Sequence, residues 1–542
     1  MALDPRTVLG ALTLILSPGC TAHSASTNEP TPGADAGQRT LTREELMNPE
    51  TCRGCHPQHY QEWRGSMHAY ASTDPVFHAM NRRGQTETNG ALGDFCVRCH
   101  APLAVNLGLT QDGLDLPSVP AYAQGVGCYF CHSASHVGAL SNNAITLSND
   151  AVFKGGIFDP ASNLAHRSAG SSIHASSNLD SAKLCGACHD VLTPAGVHLE
   201  RTYAEWHNSI FGPTPGGVAA ATHDGQLSCG GCHMPTSIGS AAPGVDRNLP
   251  QRTLHDHRFP AVDVALVGAG SSGVNEGSVA DASVNDASRD GLINLDPAAA
   301  DQRARVQALL DTSLGIEICT QALSGQNSAV FVTLENSAAG HRWPSGASQD
   351  RRMWVEVRAY AQGETAPFYS SGVALPQNAD PTSDPDRWTV SDRMLDDDGN
   401  SVHMFWQARQ IEEHTLPAPV TRDPAARDFL ITHVTRRFPL DPTTTLPQQP
   451  SRVSVLVRLQ PIAGEVLEEL QLGGYLAPSV VQSMPIFELI PNRHLADHPT
   501  LSRLAQVSFE WGPETLAYAG FTQRTLNDEA FPKRCVSLAA PR

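Results

Sequence analysis

Two thiols three positions apart, with an imidazole on the next residue, recur five times in this chain: Cys52-Arg-Gly-Cys55-His56, Cys96-Val-Arg-Cys99-His100, Cys128-Tyr-Phe-Cys131-His132, Cys185-Gly-Ala-Cys188-His189 and Cys229-Gly-Gly-Cys232-His233. The sequence holds 13 Cys and 23 His in 542 residues. At those frequencies chance would give roughly 0.01 such pentapeptides. The spacing suits one chemistry. Two thiols so placed form thioethers to the two vinyl groups of a single haem, and the next side chain lies under the iron, where an imidazole nitrogen ligates it. Zinc sites pair two CxxC units without fixing a His after each. A redox CxxC needs one copy and no trailing His. A disulfide framework has no use for the His. The motifs therefore predict five covalently bound haem c groups on those ten cysteines, with His56, His100, His132, His189 and His233 as proximal iron ligands.

The segment that must position these groups, residues 52–233, is rich in Gly, Ser, Asn and His and poor in large apolar side chains. On polypeptide alone it would read as disordered. A porphyrin is a large, flat, apolar body, so five of them supply the missing core. This predicts a multihaem cytochrome c domain, mostly α and loop, cored by haem, with short helices near the motifs and little sheet. In HYQEWRGSMHAYAS (59–72), Tyr60, Trp63, Met67 and Tyr70 fall at helical spacing. Residues 268–290 are Gly, Ser, Ala, Asp and Asn, a linker or surface insertion. Residues 296–313 read as a short helix.

From about residue 314 the character changes. GIEICTQAL, AVFVTLENS, MWVEVRAYA and SRVSVLVRLQP are β-branched or alternating runs separated by turn residues. They predict an all-β, sandwich-like C-terminal domain. ARDFLITHVTRRFPL adds a strand, LDDDGN reads as a turn, and GEVLEELQLGGYL has a helical pattern. The organisation is then a signal peptide at 1–20, a disordered tether at 21–45, a pentahaem domain at 46–262, a linker with a short helix at 263–312, and the β domain at 313–542. Cys319 and Cys535 lie outside the motifs; they form either a disulfide tying the domain's ends or two buried thiols, and a secreted setting favours the disulfide. The net charge of −18 excludes nucleic acid and a polybasic membrane surface as partners, and points to redox proteins with basic faces.

Val8–Leu16 is a short apolar run behind Arg6, too short to span a bilayer, and reads as a targeting segment. It ends in LSPGC, which resembles a bacterial lipoprotein signal, although Ser17 stands where that pattern has Leu. The resemblance implies lipidation of Cys20 and an anchor in the outer membrane. Similarity to c-type cytochromes implies an extracytoplasmic location, in the periplasm or at the cell surface.

Residues 51–136, with CRGCHPQHYQEWRGSMHAYA, CVRCH and GVGCYFCHSASH, resemble the family of multihaem cytochromes that includes the tetrahaem electron acceptor of hydroxylamine oxidoreductase. That resemblance implies distal iron ligands at His68 and His136. Residues 154–260, with AHRSAGSSIHASSNLDSAKLCGACHD, RTYAEWHNSIF, CGGCHMP and HDHRFP, resemble a wider set of related multihaem proteins. They imply a distal ligand at His257 and another at either His166 or His174. LENSAAGHRWPSG resembles a loop of an associated β-domain, whose His341 would reach back to a haem and dock the two domains together. Met234 follows its own proximal His and is badly placed to cross to the other face.

Two departures matter. Nitrite reductases of the wider group carry Lys in place of one motif His, and no CxxCK occurs here. Hydroxylamine oxidoreductases carry eight haems; this chain has five motifs. The expectation is an electron-transfer cytochrome moving single electrons along closely spaced bis-His haems. Two alternatives stay open: an oxidoreductase with one open haem acting on a small nitrogen or sulfur compound, and a self-associating, filament-forming cytochrome.

Overall fold

The computed structural model describes residues 39–162, 165–213, 227–245, 249–266, 297–336, 338–373, 383–419, 433–497, 502–507 and 509–512. Cys20, Cys535, residues 21–38 of the expected tether and the insertion at 268–290 lie outside the described residues. The end of that expected tether is not disordered: residues 43–45 begin the helix Arg43–Met47, which Thr42 and Glu45 cap.

Each haem motif occupies about one helical turn. His56 N–H bonds the Cys52 carbonyl at 2.8 Å, His100 the Cys96 carbonyl at 3.3 Å, and His189 the Cys185 carbonyl at 2.9 Å. Residues three and four apart share a face of a helix, so the turn itself brings both thiols and the imidazole to one side. The helix expected over 59–72 is two helices, Pro57–Arg64 and Met67–Tyr70. The break falls at Gly65, where a Cβ would collide with the Ala298 carbonyl of the helix Pro297–Asp311. Ser66 then caps the second helix by accepting from Ala69 N–H at 3.4 Å.

The motif region holds more sheet than its composition suggests, in four two-stranded ribbons. Ala134–Val137 pairs with Ile145–Leu147, Val152–Gly155 with Arg167–Gly170, Val191–Leu192 with His198–Glu200, and Thr236–Ser240 with Gln251–His255. Each is too small to bury a core, but the second carries the Lys154 carbonyl to His132 and the third carries Glu200 to His189.

The C-terminal strands pair antiparallel throughout. Ser328–Asn336 lies between Leu314–Ala322 and His433–Phe438. Arg352–Tyr360 and Arg452–Gln460 form the centre of a six-stranded sheet. Val330, Val332 and Leu334 from the first sheet meet Met353, Val355, Val357, Val453, Val455 and Val457 from the second in one apolar cluster. The region is not purely β: the helix Gly464–Leu472 packs Val466, Leu467 and Leu470 against Val76 and Ala79 of the motif-region helix Pro75–Glu87. Cys319 is disulfide-bonded, and its partner lies outside the described residues.

A second joint is ionic. Arg351 is buried and forks onto Asp263 at 2.8 and 2.9 Å, while its Nε donates to the Ser345 carbonyl at 2.8 Å. Beside it, burial pushes the Asp350 carboxyl up to about 7 against the pull of Arg351, and Asp350 Oδ1 has no hydrogen-bond partner. A carboxyl raised in the folded state holds its proton better there than in the unfolded chain. Stability is therefore full below the ordinary carboxylate value and falls as pH rises toward 7. Asp350→Asn should raise stability at pH 8 on the order of 2 kcal/mol and change little at pH 4. Urea titrations followed by far-ultraviolet circular dichroism at the two pH values check this.

Candidate haem-binding sites

All five motif imidazoles are held the same way. Nδ1 of His56 bonds the Ala241 carbonyl at 2.6 Å, that of His100 the Ala71 carbonyl at 3.0 Å, that of His132 the Lys154 carbonyl at 2.6 Å, and that of His233 the Pro260 carbonyl at 2.7 Å. Nδ1 of His189 bonds Glu200 Oε1 at 3.1 Å. Carbonyl and ionised carboxylate oxygens only accept, so Nδ1 carries a proton in every case, and in the four carbonyl-bonded rings Nε2 keeps a free lone pair. That is the tautomer an iron ligand needs, with its ring oriented by an outer partner. Against burial, Glu200 pushes His189 up to about 9, so its Nε2 sheds a proton when it ligates.

Four of these rings face a second imidazole at a common separation. His166 lies 6.2 Å from His56, His68 lies 6.2 Å from His189, and His341 lies 6.3 Å from His233. His132 is faced by His257 at 6.3 Å and by His174 at 6.2 Å. Two nitrogens each about 2 Å from one metal ion are roughly 4 Å apart, which puts the ring centres about 6 Å apart. The space between is accessible: half of the His189 side chain is exposed, and none of the ten motif thiols is fully buried. The residues present fit a group that lies between paired imidazoles and is tethered by paired thiols.

The outer nitrogens of the facing rings are mostly committed. His257 Nδ1 bonds the His255 carbonyl at 2.8 Å, His341 Nδ1 the Arg342 carbonyl at 2.7 Å, and His166 Nδ1 the Arg167 carbonyl at 3.3 Å. His257 and His341 thereby leave Nε2 for the metal. His174 is reversed: Nε2 bonds the Cys131 carbonyl at 2.8 Å, and its buried Nδ1 has no hydrogen-bond partner. Burial holds His68 and His257 down at about 3, and His56, His174 and His341 at about 4, so these rings are neutral near pH 7, as ligation requires.

His100 differs. Its ring is stacked on Phe77 at 4.2 Å and 11°, and among the described residues no imidazole stands at the separation found for the other four. The ring of His78 lies 5.5 Å from that of Phe77, its neighbour in the chain. His136 also stands apart. It is exposed on Ala134–Val137 with its Cα opposite Thr146, and it makes no ring contact among the described residues. The register shifts between Ala134 and His136, a bulge that turns the imidazole outward.

Other contacts lie beyond the reach of sequence pattern. Phe259, at φ 47, sets its ring edge-on to His68 at 4.5 Å and to His257 at 5.8 Å. With His257 and the Pro260 carbonyl, the stretch 257–260 thus touches three of the sites. The His341 loop is docked on the helix Thr202–His207, where Glu205 accepts from Arg342 N–H at 3.1 Å and from Ser345 Oγ at 2.6 Å. Asn336 Nδ2 donates to the His341 carbonyl at 2.6 Å. Sulfurs of different motifs also come close: Cys52 to Cys128, Cys99 to Cys188, and Cys185 to Cys229.

Residues 51–133, which contain the first three motifs, match the family model described as cytochrome c554 and c-prime. With its five CxxCH motifs, the chain is a multihaem c-type cytochrome. Among solved structures, a penta-haem cytochrome c552 from Thermochromatium tepidum is similar over 82% of this chain and 97% of that one, at 18% identity and a TM-score of 0.49. No curated protein matches.

Proposed function

We propose that the chain is an extracytoplasmic pentahaem cytochrome c that carries single electrons between redox proteins. The observation that supports this best is the set of imidazoles facing His56, His132, His189 and His233 at 6.2–6.3 Å. In this reading His166, His257, His68 and His341 are the distal ligands, with His257 preferred to His174 because its Nε2 is clear. Paired His ligation keeps iron low-spin in both oxidation states, so little geometry changes as an electron arrives or leaves. When bound, the group supplies the one-electron exchange. The chain supplies the rest: thioether anchors, ligand tautomers fixed by Nδ1 partners, and close approach of neighbouring motifs at Cys52–Cys128, Cys99–Cys188 and Cys185–Cys229. The fit with the family of the tetrahaem acceptor of hydroxylamine oxidoreductase rests on the first three motifs. Anchoring through Cys20 rests on the lipoprotein-like signal; among the described residues no helix is long and apolar enough to cross a membrane.

A second reading is favoured by His100. A haem there with no facing imidazole would bind a small ligand on iron, and the protein would carry out chemistry as well as conduction. Electron paramagnetic resonance of the oxidised protein tests both readings. The carrier reading expects four bis-His low-spin signals from the paired sites. One high-spin signal that shifts on adding cyanide or nitric oxide supports the open site at His100. Several high-spin signals would end the carrier reading.

A further inference from the structure

Four of the five motif histidines donate Nδ1–H to a backbone carbonyl, a neutral dipole. His189 alone donates to a carboxylate. Glu200 is held in place for this. It ends the strand His198–Glu200, with its Cα opposite Val191 next to the fourth motif. Its Oε1 also accepts from Thr202 Oγ1 at 3.3 Å, and its side chain is only 18% exposed. The charge of Arg351 also favours the ionised Glu200, but that guanidinium makes its own fork onto Asp263, at 2.8 and 2.9 Å. The hydrogen bonds of the carboxylate come from the Nδ1–H of His189 and the hydroxyl of Thr202.

We propose that Glu200 is a positioning residue that lowers the reduction potential of the haem held by Cys185, Cys188 and His189. This deepens the carrier reading above and rests on it. Outer-shell acceptors raise the basicity of a ligating imidazole, and a carboxylate does so more strongly than a carbonyl. A more basic ligand, and a negative charge close by in a medium of low dielectric, both favour Fe(III) over Fe(II). The place matters as well. Thiols of this motif meet those of the second motif at Cys99–Cys188 and of the fifth at Cys185–Cys229, and Cys131 of the third motif lies near Cys185 and Cys188. A lowered potential here makes the junction between these motifs a site electrons cross without accumulating.

The test uses the full haem-loaded protein with Glu200→Gln, which keeps an acceptor oxygen and removes the charge. Haem content is counted first, and potentials are then read by spectroelectrochemical titration. One of the waves should rise so that its reduction equilibrium improves at least about tenfold, which is about 59 mV for one electron. One low-spin resonance signal should change its g-values with it. Glu200→Asp, which keeps the charge, should recover most of the wild-type wave. Full haem content with every wave in place would overturn the proposal and leave the carrier reading standing, whereas absence of haem from the wild-type protein would end the carrier reading itself. If Glu200→Gln does not mature, Thr202→Val serves: it removes the hydroxyl that competes for Oε1, so the wave should fall, and an unmoved wave overturns the proposal.

Discussion

His341→Gly should add one high-spin haem per chain, open to cyanide and nitric oxide, and free imidazole should restore the low-spin state. The His341 ring faces His233 at 6.3 Å with only 12° between the planes. The loop that carries it is held by contacts that do not involve the imidazole. Asn336 Nδ2 grips the His341 carbonyl at 2.6 Å, and Glu205 accepts from the Arg342 N–H and the Ser345 hydroxyl. Removal of the side chain thus leaves an imidazole-sized gap in a loop still anchored, and added imidazole can fill it. The potential of that site should rise, because a strong donor to iron is lost. Counting matters. If the site at His100 is already open, the high-spin signals go from one to two; if it is closed, from none to one. A variant whose spin states match the wild type would separate His341 from iron and leave the loop a mere clamp between the two halves of the chain.

What could be read from sequence follows from how far each interaction reaches along the chain. The CxxCH motifs were legible because one helical turn sets all three side chains, and the turn is written in consecutive residues. The long C-terminal strands were legible because alternation of Val and polar residues is local too. Pairing was not. Resemblance pointed to His68 and His341, but only the fold puts His68 opposite His189 and His341 opposite His233. Resemblance pointed equally to His136, yet a bulge after Ala134 turns that side chain to solvent. Nothing in HLERTY marks Glu200, which reaches His189 only because a short hairpin folds back on the motif. Phe77 and Phe259 read as ordinary apolar residues, and their value lies in ring contacts with His100 and His68. The break at Gly65 was hidden for the same reason: it answers to Ala298, far along the chain.

The largest effect is expected when haem attachment is blocked, either in a host without cytochrome maturation or with all ten motif cysteines changed to Ser. Residues 39–266 should then be cut rapidly by protease, while the sheets after Leu314 stay protected. The halves differ in what holds them. In the first, Leu46, Val97, Leu103, Leu116 and Tyr129 form a modest apolar cluster, and a second one, around Tyr203 and Trp206, is smaller still. Ordering each residue costs roughly 1–2 kcal/mol of backbone entropy, and clusters of this size do not offset that over such a length. The motif imidazoles and thiols line accessible spaces and contribute little until those spaces are filled. In the second half, Leu334, Met353, Phe438, Leu446 and Leu459 are essentially inaccessible to solvent and lie in one cluster spanning two sheets. That half should survive with a lower denaturation midpoint. It would lose the fork from Arg351 to Asp263 and the packing of Val466 and Leu470 on Val76 and Ala79. Stripping one partner from a buried ion pair costs about 3–5 kcal/mol where the survivor stays buried, and less here because Arg351 becomes free to meet water. Mass spectrometry of the surviving fragments gives the answer. Equal protection of residues 39–266 with and without haem would mean that the polypeptide alone builds this half, and that the five groups are passengers in a fold that does not need them.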